Sequence, residues 1–79
     1  MALLTSAINT VFTPLSGEFI IQCSSGMTAL QRRGVTGADW VKVGIISGNT
    51  APIISNPVSG AEYQFTQVGS VVPVVRADQ

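Results

Sequence analysis

The stretch GEFIIQCSSGMTALQRR, residues 17–33, decides the fold. Its first half alternates, setting Phe19, Ile21 and Cys23 on one face. A two-residue apolar period is the mark of a strand that buries one side. Ser24-Ser25-Gly26 then reads as a tight hairpin turn in which the glycine supplies a positive φ. The second half, residues 27–33, reads as the next strand, with Leu30 on the opposite face from Ala29 and Gln31.

The same grammar runs outward in both directions. Glycine and proline punctuate the chain at short intervals, and the pieces between them are rich in β-branched and aromatic residues. Short strands at such spacing point to a sandwich or barrel. Segment 39–46 alternates Val41, Val43 and Ile45 against Trp40, Lys42, Gly44 and Ile46. Gly34–Ala38 joins it to the preceding strand as a longer hairpin loop. Segment 51–55 is short and begins near Pro52. Segment 61–67 sets Tyr63 and Phe65 against Glu62, Gln64 and Thr66, after a loop of turn formers at residues 56–60. Segment 70–77 contains Pro73, which cannot donate to a ladder, so it reads as an edge strand or a bulged one. No stretch of helical length shows a 3.6-residue apolar period. The expected fold is all-β: one small antiparallel β-sandwich or barrel of about six or seven strands over residues 13–79, preceded by an N-terminal arm or strand at residues 1–12.

Composition limits the function. The 79 residues carry four basic and four acidic side chains, so the net charge is zero and only 10% of the chain is charged, against roughly 25% in an average protein. Histidine is absent and Cys23 is the one cysteine. Triads, Cys–His dyads and zinc sites of the usual ligands are therefore excluded, as is a disulfide scaffold within one chain. The four acidic residues are scattered and no spacing pairs them for acid–base work. The glycines follow no phosphate-binding order. We expect no enzyme, no catalytic residues, no metal and no cofactor. Four basic residues do not make a nucleic-acid footprint. The apolar runs are far shorter than the roughly 20 residues of a spanning helix, and the N-terminus lacks the positive region of a signal peptide. No membrane partner is expected, and synthesis in the cytoplasm suits the unpaired thiol.

Size points to association. Below roughly 70–80 residues a single core rarely supplies more than about 3–5 kcal/mol without staples, metal or partners. Few charges and no net charge favour association, so a homo-oligomer or docking on a larger body is expected. The arm carries the candidate contacts Leu3, Leu4, Ile8, Val11 and Phe12. Leu3, Leu4, Ala7, Ile8 and Val11 lie at helical spacing, yet Thr5, Thr10 and Val11 favour strand. The arm either packs on its own sheet or reaches over a neighbour by strand addition. Arg32 and Arg33 are the remaining candidates for a partner's carboxylate. Alternatively, one faces solvent and the other sits beside Asp39 across the hairpin. Trp40, Tyr63 and Phe65 read as core, and Cys23 as a small buried hydrophobe.

The run LQRRGVTGADW (Leu30 to Trp40), with LSGEF (Leu15 to Phe19), NPVSGAEYQF (Asn56 to Phe65) and VVRADQ (Val74 to Gln79), resembles a pattern of small tailed-bacteriophage virion domains. It covers roughly residues 12–79. It departs from that pattern at Gly34-Val35-Thr36-Gly37, where an Asp-Gly-Gly type of turn is common. The resemblance implies an immunoglobulin-like β-sandwich and a structural role as a capsid decoration or cement protein. That role places it on the outer surface of the virion, bound to the major capsid protein or another virion protein. Other expectations are a tail, fibre or adaptor component of the virion and a non-viral small β binding domain such as a carbohydrate binder. Apolar and main-chain docking would survive high salt.

Overall fold

The computed structural model describes residues 3–15, 17–56 and 60–79. Seven strands form: β1 Leu3–Thr5, β2 Gly17–Ser25, β3 Met27–Arg33, β4 Val41–Ser47, β5 Ile53–Asn56, β6 Glu62–Gln67 and β7 Val74–Asp78. They make two antiparallel sheets, a four-stranded one in the order β1-β7-β2-β5 and a three-stranded one in the order β4-β3-β6. The all-β sandwich expected from the alternation is present.

The inward faces follow the period. In β2, Phe19, Ile21 and Cys23 are buried; Thr28 and Leu30 from β3 and Tyr63 and Phe65 from β6 are buried opposite them. Four aromatic rings fill the centre. Phe12 stacks on Tyr63 and Phe65 at 5.9 and 5.5 Å between centroids. Phe19 meets Phe12 and Tyr63 edge-on at 6.0 and 5.1 Å. Such pairs each contribute about 0.5–1.5 kcal/mol beyond their buried area. Inside this core the Thr28 hydroxyl is satisfied by donating to the carbonyl of Thr66 at 2.9 Å.

The turn at Ser24–Gly26 is not a hairpin. Gly26 has the expected positive φ of 75°, but β2 and β3 lie in different sheets. The chain turns a corner from one layer to the other. A Cβ on Gly26 would stand 2.9 Å from the Cα of Pro73, so glycine is required for space as well as for φ. Pro73 is correspondingly buried. It sits before β7 rather than in it, and β7 is an interior strand between β1 and β2. The irregularity expected near the proline is a register shift in the β2–β7 pairing between Cys23 and Ser25. Gly34–Ala38 does close the β3–β4 hairpin, with Ala38 N–H donating to the Val35 carbonyl at 3.2 Å.

The N-terminal segment docks on its own chain. Only Leu3–Thr5 is strand, paired with β7. The chain then turns through Asn9, at φ 59°, and runs along the outer edge of β6. There Asn9 N–H donates to the Phe65 carbonyl at 2.7 Å, and Phe12 and Tyr63 exchange N–H···O bonds of 2.9 Å in both directions. At the C-terminus, the Gln79 side chain accepts from Leu15 N–H and donates to its carbonyl, both at 2.8 Å. The Cα radius of gyration of 11.5 Å is close to the roughly 11.6 Å of a compact chain of this length, as expected where segment 3–12 lies on the sandwich.

Candidate interaction surface

The residues singled out in the sequence divide sharply by position. Phe12 is 5% exposed and belongs to the core cluster; Leu4 and Ile8 are half-buried against it. Leu3 and Val11 are the exposed members of the segment. Of the two readings of the arm, the structure has the one in which it packs on its own sheet.

The arginines are engaged within the chain. Arg33 Nε donates to the Glu62 carboxylate at 2.8 Å, and its guanidinium carbon lies 4.3 Å from the centroid of the Trp40 ring. Register explains the partner: Arg33 stands directly across from Glu62 in the β3–β6 pair. Glu62, not Asp39, therefore holds the cation. Trp40 lies outside the core cluster, half-buried beneath Arg33 just before β4. Arg32 Nε donates to the Tyr63 hydroxyl at 3.2 Å, giving the polar tip of a ring that is 1% exposed its partner at the rim of the core. Trp40 and Tyr63 consequently form no exposed aromatic pair. On the outer face of the larger sheet, Arg76 pairs with Asp78 at 2.8 Å. The hydrogen bond to Asp78 and its charge hold Arg76 above its ordinary pKa.

No group of three or more metal-ligating side chains occurs among the described residues. Cys23 is fully buried, with its Sγ directed at the Ser25 and Gly26 carbonyls at 3.4 and 3.7 Å. What the described surface offers instead is apolar. Leu3, Val11, Leu15, Met27, Val35, Val41, Val43, Ile45, Ile53, Val71, Val72 and Val74 are all more than a third exposed, whereas eight large apolar or aromatic residues (Phe12, Phe19, Ile21, Leu30, Ile46, Tyr63, Phe65, Val75) are buried. Among the described residues these twelve stand against the eight buried side chains and the half-buried Leu4, Ile8 and Ile54 that pack on them.

Two of these groups are concentrated by the fold. Val41, Val43 and Ile45 lie on β4, the free edge of the three-stranded sheet. A register shift at Val43 breaks their alternation: Ile45 stands opposite Ala29 on the outer face and Val41 opposite Arg32, while Ile46 is the β4 residue that enters the core, and all three stay exposed. Beside them an open cleft of about 460 Å³ is lined by Ile45, Ile46, Ser47, Thr50, Ala51 and Pro52. The second group is Val71 and Val72 on the loop entering β7 with Val74 at the start of that strand, at the end of the sandwich where Gly26 meets Pro73. Neither group was singled out as a contact surface by the sequence. The signal available was the aliphatic content of Val41–Ile46 and of the run Val71–Val75, which read equally well as buried strand.

No protein-family model matches this chain, and no curated protein and no solved structure matches it either.

Proposed function

We propose that this protein is a structural binding module, and specifically a decoration or cement protein of a phage head, held on neighbouring coat subunits by apolar and main-chain contacts. The carrying observation is the exposed apolar surface: twelve large hydrophobic side chains are more than a third exposed among the described residues. A soluble monomer gains nothing from such a surface, whereas a subunit that completes its burial on other chains does. The likeness of Leu30–Trp40 and the flanking motifs to small virion domains supports the phage setting. Repetition over a lattice multiplies a modest contact into a stable one.

The test is to purify virions from an infected culture of the source and quantify this chain against the major coat protein by mass spectrometry. Near-stoichiometric copies released only with capsid disruption are the expected result. A few copies per particle would move the protein to the tail or an adaptor position. Absence from intact virions would end the virion reading.

A further inference from the structure

The outer edge of β4 fits a specific occupant, a second copy of this chain, and this holds whether or not the virion reading is correct. We infer that two molecules pair their β4 strands antiparallel about a two-fold axis through Ile45, joining two three-stranded sheets into one of six strands. Three observations carry this. First, β4 is paired on one side only, with β3, and among the described residues no backbone group bonds to its other flank. The opposite edge of the same sheet, on β6, is covered by Asn9–Phe12. Secondly, the two devices on β4 that blunt an edge, a lysine and a bulge, both fall at Lys42–Val43, and the strand has no proline. Its single irregularity, at Val43 in the β3–β4 register, leaves Gly44–Ser47 regular.

Thirdly, the strand is self-complementary in that one register. Ile45, on the outward face opposite Ala29 and 53% exposed, meets its own copy on the axis as a β-branched cross-strand pair. Gly44 stands opposite Ile46 of the other molecule, and a Cβ on Gly44 would meet nothing within 4 Å, so that position is open. Val43 stands opposite Ser47. The two Lys42 side chains lie six strand positions apart, roughly 20 Å at strand rise, beyond the roughly 8 Å Debye length at physiological salt. With zero net charge, nothing else in the chain's balance repels the copies. A partner of marked charge gains nothing from this edge, and a copy of the same chain meets no like charge.

The contact is small. The regular part of the edge spans only Gly44–Ser47, so the pairing is weak and is populated when copies are concentrated or arrayed.

Sedimentation velocity and ¹⁵N–¹H spectra of the full chain, from about 10 μM to about 1 mM, test it. The expected result is a rising sedimentation coefficient with amide shifts confined to β4 and its hairpin neighbour. Ile45→Lys sets two like charges on the axis and abolishes both changes, while Val72→Lys, on the other apolar group, leaves them intact. A wild-type chain that stays monomeric throughout overturns the inference. So do concentration-dependent shifts that map to Val71–Val74 instead of β4, or an association that Ile45→Lys leaves unchanged. The wild-type shift map decides the matter even without the variants.

Discussion

β4 and β6 flank the same central strand, yet they end in opposite conditions. β6 turns Tyr63 and Phe65 into the core, and its outer edge is sealed by three backbone bonds from Asn9–Phe12. β4 turns only Ile46 fully inward; Val41, Val43 and Ile45 remain in solvent and its outer edge stays open. The difference is not one of hydrophobicity, since β4 is the more aliphatic strand. It lies in what the rest of the chain supplies. Segment 9–12 brings a ring and a backbone to β6, and no described residue does this for β4. One flank is finished intramolecularly and the other is left open among the described residues.

The largest effect expected of a single substitution is on the finished flank. Phe65→Ala removes a fully buried ring that stacks on Phe12. A loss of about 3–5 kcal/mol is expected for a truncation of this kind, which for a domain this small approaches its whole stability. Urea denaturation followed by tryptophan fluorescence measures it. For the same reason, deleting residues 2–11 cannot isolate a docking function. It removes β1 and the Asn9 contact to β6, and circular dichroism should report partial or complete unfolding.

A second, smaller effect belongs to the corner that feeds both flanks. Gly26→Ala places a Cβ 2.9 Å from the Pro73 backbone in a residue held at φ 75°. Strain of this kind costs about 1–3 kcal/mol, measurable as a fall in the urea midpoint with an unchanged m value. Equality with wild type would mean that the corner relaxes freely. Smaller again is Thr28→Val, which replaces the hydroxyl that donates to Thr66. About 1 kcal/mol is expected from the lost hydrogen bond and the carbonyl left short of a donor.

The residues also show why some of this was legible in advance and some was not. β2 and β6 were readable because Phe19, Ile21 and Cys23, and Tyr63 and Phe65, each fall on one parity, and β3 because glycine brackets it at both ends. Gly26 announced a positive φ but not which layer the chain enters next. That depends on Pro73 lying 47 positions away in sequence, a contact no local pattern contains. Hairpin logic set one of Arg32 and Arg33 beside Asp39, whereas the partner of Arg33 is Glu62, 29 residues distant, set by the β3–β6 register. Phe12 was legible as apolar but not as core, because an apolar arm reads the same whether it folds back or reaches out. The alternation in β4 separated two faces without saying which was inside. Ile46 settles that, and the register shift at Val43, which no local pattern announces, leaves Ile45 as the outward residue of the regular part of the strand.

The smallest expected effect sharpens the comparison most. Ile45→Ala deletes an aliphatic side chain as Phe65→Ala deletes a ring, on the opposite flank of the same sheet. Ile45 is 53% exposed and faces outward across from Ala29, so in dilute solution its removal should change stability by less than about 0.5 kcal/mol, the range of ordinary surface substitutions. The urea midpoint measured well below the association range tests this without interference from pairing. A loss comparable to that of Phe65→Ala would mean that the β4 face is covered by this chain itself, and the contrast between a sealed and an open flank would be lost. A near-zero change, with the concentration dependence of sedimentation weakened at the same time, would separate the energy of folding from the energy of pairing on a single residue.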